Sequence, residues 1–375
     1  MKISKNDALI WFDYFANLDA DEPVSVTYKE ILYATLAQIE AVVDQRNDQT
    51  LAQIKQVHSL DHRTLFTGNP DKFAKGCKSC LLGTGMGAIR KTNTCNIECK
   101  FCYNYGEMDQ IDPVGEGLWE IGGSKYYEKD IDLLLAVHQK PTGISYVFLE
   151  PFMEIEKYYS IIKKFSTTGI HQHLYTNGLL ATEAQLKALG EAGLNELRFN
   201  LGAAKCSKAV IEKIGIAKKY IPSVGIETPM TPEFFAGFAK NKDAILATKV
   251  DFINCAELHL NQNNIHNYEG ENLYMCRHGY ISPIWSRELT LKLMKQACDE
   301  EWDICVHDCS NMTKIARGLN LSSKEGKWFG ANPTWSSEFP DFPFEAFLPI
   351  LGDDSFEFLS EEVLPPKYQP PKLEY

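Results

Sequence analysis

Five β-rich runs recur along this chain at nearly constant intervals. Their anchors Ile144, Ile170, Leu197, Val224 and Phe252 stand 26, 27, 27 and 28 residues apart, with amphipathic stretches such as ATEAQLKALGEAGL between them. A strand, loop, helix and loop together need about that length, because parallel strands require a crossover of a dozen or more residues. Adding the run AIRKTN, residues 88–93, as a first strand gives six βα units in a row. Right-handed crossovers then predict an α/β fold with a parallel sheet and outer helices, curled as a whole or partial barrel.

Polarity makes this arrangement informative about function, since ligands of parallel α/β sheets sit at the carboxyl ends of the strands. Those ends carry Glu150-Pro151, Thr176-Asn177-Gly178, Asn200 with Gly202, Glu227-Thr228, and Glu257 with His259. The first strand end carries TNTCNIECKFCYNYGE, residues 92–107, with Cys95, Cys99 and Cys102 inside eight positions.

Composition limits what such a loop can be for. With 38 basic and 50 acidic residues the net charge is -12, which argues against a nucleic-acid partner gripped through phosphates. The N-terminus breaks its apolar residues with Lys and Asp and lacks a secretory signal pattern. No run of about 18 apolar residues suits a membrane span. The expected location is therefore cytoplasmic, where eleven cysteines are kept reduced and a cluster of them points to metal or catalysis.

Three thiolates on one short loop need a cation to hold them. A structural zinc site takes four ligands, and the loop offers no fourth Cys or His. One coordination position is left open, as in an iron-sulfur cube held by three cysteines.

At this point the chain resembles the radical S-adenosylmethionine (radical SAM) superfamily, over roughly residues 88–265. The family signature, C-x3-C-x-aromatic-C after the first strand of a six-unit partial barrel, reads Cys95, Cys99, Phe101, Cys102. The resemblance implies an oxygen-sensitive enzyme whose cofactors are a [4Fe-4S] cluster and SAM. The three cysteines would each bind one iron, and SAM would chelate the fourth. SAM would be cleaved reductively to methionine and a 5′-deoxyadenosyl radical that takes hydrogen from a substrate.

The resemblance also implies residue roles. Phe101 would lie near the adenine. The family's Gly-Gly-Glu-Pro-like segment reads Phe148-Leu149-Glu150-Pro151 here, so the glycines are absent and Glu150 is the candidate for the SAM amino group. The third strand end, Tyr175-Thr176-Asn177-Gly178, looks typical of the pyruvate formate-lyase activator and molybdenum-cofactor branches, which makes Asn177 a cofactor-binding candidate. Asn200 and Glu227 are candidates for ribose, carboxylate or substrate contacts. Glu98 would lower the cluster potential if it faced the cluster.

Around this centre the expected domains are a mostly helical extension over 1–86, the partial barrel over 87–310, and a Pro-, Phe- and acid-rich segment over 311–375 packing on it. In the extension Ile31, Leu32, Leu36, Ile39 and Val42 keep helical spacing behind Thr27 as N-cap. Cys77, Cys80, Cys305 and Cys309 could supply a second cluster or zinc; the plainer reading is two pairs of reduced thiols. Residues 83–87, GTGMG, read as a flexible turn. His171 and His173 share a strand face by the period of two, more simply as sheet lining than as metal ligands.

The substrate is left open between a small metabolite, slightly favoured, and a peptide or protein, including a glycyl-radical enzyme. An electron donor such as flavodoxin or ferredoxin is expected. A different class, a non-catalytic zinc or iron-sulfur binding protein, would need a distant fourth ligand.

Overall fold

The computed structural model describes residues 2–4, 41–60, 64–82, 84–121, 124–131, 141–261, 263–275, 281–311, 313 and 355–357. All six expected parallel strands are present: β3 (Gly85–Arg90), β6 (Gly143–Tyr146), β7 (His171–Thr176), β8 (Glu196–Phe199), β9 (Ser223–Pro229) and β10 (Phe252–Ala256). They lie side by side in chain order.

A seventh parallel strand, β13 (Cys305–Cys309), follows β10. It escapes the 27-residue rhythm because the chain inserts a short hairpin, β11 (Leu273–Met275) with β12 (Ile281–Pro283), before the crossover helix α6 (Ile284–Asp299). The expected six-unit run is thus extended by one strand.

Antiparallel strands lengthen both sides. β4 (Leu118–Ile121) and β5 (Ser124–Tyr127) form a hairpin on β3. On the other side β2 (Leu65–Gly68) pairs with β13, and β1 (His58–Ser59) with β2. The result is a large, mostly parallel sheet of eleven strands. A boundary at residue 86 would therefore cut through this sheet, and the region before it is not simply a helical extension. The β2 run LFTG is too short for its periodicity to show, and its partner lies some 240 residues away in the chain.

Residues 83–87 also differ from expectation, since Gly85 opens β3 rather than lying in a turn. The helix expected at Thr27, Ile31, Leu32, Leu36 and Ile39 lies outside the described residues, although residues 41–51 are helical. Of the 311–375 segment, Asn311 and Thr313 are buried, the Asn311 N–H donating to Glu257, and residues 355–357 pair antiparallel with residues 2–4; the rest of its packing lies outside the described residues.

Local sequence explains the crossovers. Helix α3 (Glu183–Ala192) begins at Thr182 and Gln185, which exchange backbone hydrogen bonds in a capping box, and stops at Gly193 with φ 96°. Helix α5 (Pro232–Ala247) starts with Thr231 capping the Phe234 N–H and Pro232 in the first turn. The apolar faces of these helices and of α2 (Tyr159–Ser166) and α4 (Lys208–Ala217) bury Ile162, Phe165, Leu186, Leu189 and Ile214 in one core with Ile144, Leu174, Leu197 and Val224 of the strands.

The opposite sheet face meets α1 (Lys75–Leu81). A Cβ on Gly76 would stand 2.5 Å from the Arg198 guanidinium and 2.6 Å from His173 Nδ1. Glycine is what permits that approach.

Candidate active site

The cysteine loop leaves the carboxyl end of β3, at the rim where all the parallel strands end. Cys95, Cys99 and Cys102 are each half-buried on it. Burial, followed by the neighbouring Cys102 and Cys95 thiols, pushes Cys99 up to about 12. Burial also raises Cys95 and Cys102, against backbone N–H groups of Ile97 and Asn104 that favour their thiolates. Glu98 adds to the upward pressure on Cys99 and Cys102, and its carboxylate accepts from the Gly106 N–H at 3.0 Å. Three such thiols ionise together only around a cation.

The loop carries three such thiols and no fourth Cys or His, the donor set of a cube held by three cysteines rather than of a four-ligand zinc site. Among the described residues, His171, His173 and Glu196 bring their ligand atoms within 4.8 Å of one another.

Beside Cys99 opens a cavity of about 560 Å³ lined by Phe101, Lys205, Thr231, Phe234 and Tyr268 among others. Its size is that of small-molecule and cofactor sites. Phe101 is thus placed against a space that a nucleoside can enter, whereas the other four cofactor candidates are not among its lining residues.

Glu150 is 1% exposed, and its carboxylate accepts from the Thr176 hydroxyl at 2.7 Å, the Asn177 N–H at 2.7 Å and the Phe152 N–H at 3.0 Å. Burial raises its carboxyl; these bonds oppose the rise. Asn177 in turn donates from Nδ2 to Asn96 Oδ1 at 2.7 Å, beside Cys95. The pair therefore ties the ends of β6 and β7 to the cysteine loop. Asn200 accepts from the Ala203 N–H within its own turn. Glu227 pairs with the buried Arg198 and is drawn away from the cysteines into an ionic core.

That core also takes up the two histidines. His171 Nε2 lies 3.1 Å from Glu196, which is ion-paired to Arg198. The carboxylate that would complete a metal site is already neutralised. Of the other cysteines, Cys77 and Cys305 pack with Phe66, Ala74 and Phe252, while Cys80 is exposed. No three of Cys77, Cys80, Cys305 and Cys309 bring their sulfurs within 4.8 Å.

The segment in place of the family glycines keeps a glycine-like backbone. Phe148 has φ 103° and Leu149 φ 51°, a region that bulky residues rarely adopt. The Phe148 ring lies 4.6 Å from the Arg90 guanidinium, which is itself paired with Glu120. Such strain costs about 1–3 kcal/mol and clusters at functional sites. Phe148→Gly should therefore stay within about 1 kcal/mol of the parent in chemical denaturation, strain relief offsetting the lost cation–π contact of up to about 2 kcal/mol. Phe148→Val, which loses the ring and keeps the strain, should be less stable than Phe148→Gly; the reverse order would remove the strain argument.

Sequence reasoning missed Thr231 and Tyr268 on the cavity wall, and the asparagines of LNQNNIHN. Asn261, Asn263, Asn264 and Asn267 all donate to backbone carbonyls of the cysteine loop. Their density in eight residues was the available signal.

No protein-family model matches the chain. A curated protein of Methanocaldococcus jannaschii, described as "Putative glycyl-radical enzyme activating enzyme", is 28% identical over 262 residues, 66% of this chain and 66% of that protein. The signature cysteines follow the first strand of a parallel run. In its cysteine signature the chain resembles the radical SAM superfamily. Enzymes of this superfamily use a [4Fe-4S] cluster and SAM, and the donor set at Cys95, Cys99 and Cys102 fits the cluster.

The chain spans 66% of the relative's length, just under two thirds. Among solved structures, Streptococcus suis SuiB bound to precursor peptide SuiA is similar with TM-score 0.41 and 14% identity, over 62% of this chain and 51% of that one. The radical SAM methyltransferase TsrM from Kitasatospora setae, with cobalamin and a [4Fe-4S] cluster bound, gives 0.38 and 13%, over 71% and 61%. Among the described residues no helix is long and apolar enough to cross a membrane.

Proposed function

We propose that this chain cleaves SAM reductively at a [4Fe-4S] cluster held by Cys95, Cys99 and Cys102, and that its substrate is a protein, a glycyl-radical enzyme that it activates. The observation that carries the first part is the trio of half-buried thiols on one short loop, with Cys99 opening on a nucleoside-sized cavity. The second part is supported by the printed name of the curated relative. It displaces the slight sequence-based preference for a small metabolite.

Cys95, Cys99 and Cys102 would hold the cluster, whose chemistry when bound would be one-electron reduction of SAM, with the electron coming from an external reductant. The protein's part is to bind and align. In this reading the parallel strands curl as a partial barrel, with the cysteine loop at its mouth. Phe101, with Thr231 and Tyr268, walls the adenine end of the cavity. Glu150 and Asn177 act by bracing: their bonds fix the loop next to Cys95, and Glu150 directs its carboxylate at Thr176 and Asn177 rather than at a ligand. The turn at Phe148 and Leu149 offers backbone groups as the family's glycines would.

A second cavity of about 630 Å³ lies beside the end of β3, lined by Lys91, Asn93, Glu116, Trp119, Glu128 and Lys157 among others. Its paired signs and single large aromatic suit an extended peptide segment. The electron donor in this account is a flavodoxin or ferredoxin.

The test is anaerobic reconstitution, reduction with dithionite and addition of SAM. The protein should release 5′-deoxyadenosine, and a glycyl-radical enzyme from the same source should gain the doublet EPR signal of a glycyl radical when added. Deoxyadenosine without that signal, together with loss of a small metabolite from extract, would reject the protein substrate.

A further inference from the structure

Every backbone carbonyl from Cys99 to Asn104 has a donor, and the donors come from two sources. Half are N–H groups of the loop itself: Cys102 donates to Cys99 O at 2.9 Å, Tyr105 to Cys102 O at 3.1 Å and Glu107 to Asn104 O at 3.2 Å. The other carbonyls go to side-chain amides of the segment that joins β10 to β11. Asn267 Nδ2 donates to Lys100 O at 3.0 Å and Asn264 Nδ2 to Phe101 O at 3.2 Å, while Asn261 and Asn263 donate to Tyr103 O at 2.9 and 3.0 Å. The stretch that carries Cys99 and Cys102 is neither helix nor strand, so its shape depends on these bonds.

The segment that supplies the amides holds its own form. Asn261 and Asn264 cap each other, Asn264 Oδ1 accepting from the Asn261 N–H at 2.8 Å and Asn261 Oδ1 from the Asn264 N–H at 3.3 Å. Backbone bonds from Ile265 to Asn261 and from Asn267 to Asn264 close its turns, Leu260 N–H bonds Ile281 O in β12, and Ile265 is buried. Asn263 and Asn267 differ from the capping pair. Among the described residues their side chains take no part in those turns and reach only outward, Asn267 to Lys100 O and Asn263 to Tyr103 O and, at 2.8 Å, to Glu107 Oε2. These two amides serve the loop and not the segment.

We propose that Asn263 and Asn267 are positioning residues that hold the Cys99–Tyr103 stretch in its ligand-bearing form, so that cluster uptake and retention, and not the stability of the fold, depend on them. This rests on the reading of Cys95, Cys99 and Cys102 as the ligands. A loop shaped in advance loses less conformational freedom on binding than one that the metal must order. Asn177 does the same for the Cys95 end of the loop through Asn96.

The first measurement is hydrogen exchange, read by mass spectrometry, of the full chain before reconstitution, wild type against Asn263→Ala, Asn267→Ala, the double variant and His266→Ala. His266 lies in the same segment, and its side chain meets Glu269 at 3.9 Å rather than the loop. Amides of residues 99–107 should exchange about tenfold faster in the double variant, with the single variants between, since each lost amide–carbonyl bond has a modest net effect on local opening. Peptides from β6 to β10 and the urea midpoint should stay at wild type. The second measurement is loss of the anaerobically reconstituted cluster to an iron chelator, which should also be about tenfold faster in the double variant. His266→Ala should match wild type in both.

Wild-type loop exchange or wild-type cluster retention in the double variant would overturn the proposal, as would an equal effect of His266→Ala. Faster exchange throughout the sheet with a lowered urea midpoint would overturn it too, assigning the two residues to the fold. If the double variant does not fold, the single variants decide by the same criteria. Wild-type protein that takes up no four-iron cluster would instead remove the ligand reading on which the proposal rests.

Discussion

Glu196→Ala is expected to destabilise the fold by about 3–5 kcal/mol, the range for breaking a buried ion pair by removing one partner. Arg198 is 2% exposed, and its guanidinium bonds Glu196 through Nε at 2.6 Å as well as through Nη2. It also donates to Tyr175 at 2.9 Å and pairs with Glu227. Without Glu196, Arg198 and His171 both lose their principal acceptor. Burial alone would raise the Glu196 carboxyl, but Arg198, the His171 hydrogen bond and the two imidazoles outweigh it and hold it well below the ordinary value.

The pH dependence follows from that sign. Because the folded carboxyl lies below its unfolded value of about 4.5, its contribution is complete above that pH and is lost as pH falls further. Urea denaturation at neutral and acid pH measures both effects. Pairing Glu196→Gln with Arg198→Met should recover most of the loss, since an apolar replacement removes the uncompensated charge while Glu227, with 18% side-chain exposure, can be solvated. A loss below about 1 kcal/mol in Glu196→Ala, or no recovery in the double variant, would mean that the ion pair does not hold the sheet face together.

Cys99→Ala is expected to reduce SAM cleavage to the background of dithionite and SAM alone, since enzymatic accelerations begin at about 10⁶-fold and none survives loss of the cofactor. The Cys99 thiol is pushed up to about 12 by burial and by Cys102 and Cys95. Its removal leaves two sulfurs for three irons. Cys298→Ala is the comparison, because Cys298 only packs against the apolar core from α6. That variant should keep cluster and cleavage. Equal 5′-deoxyadenosine from Cys99→Ala and wild type would refute the role of the loop.

The parts of this chemistry that the sequence displays are those carried by local spacing. The 27-residue rhythm located β6 through β10, and the three cysteines fell at the end of β3 as their spacing required. What stayed hidden depends on partners far apart in the chain. Leu65–Gly68 becomes a strand only because Cys305–Cys309 is beside it. Glu150 and Glu227 stand at strand ends as a ligand-binding pattern predicts, yet Thr176 and Asn177 capture the first carboxylate and Arg198 the second. Residue type and position along a strand do not reveal which neighbour a carboxylate faces. Phe148 and Leu149 show the converse: the glycines are missing from the sequence while the backbone conformation they would favour is kept.

The most direct measurement is the iron and acid-labile sulfide content of protein reconstituted and handled without oxygen, read together with its EPR spectrum before and after SAM is added. The account predicts four irons and four sulfides per chain, and a reduced-cluster signal that changes when SAM occupies the iron without a cysteine ligand. A single zinc with no sulfide, or a signal indifferent to SAM, would contradict it.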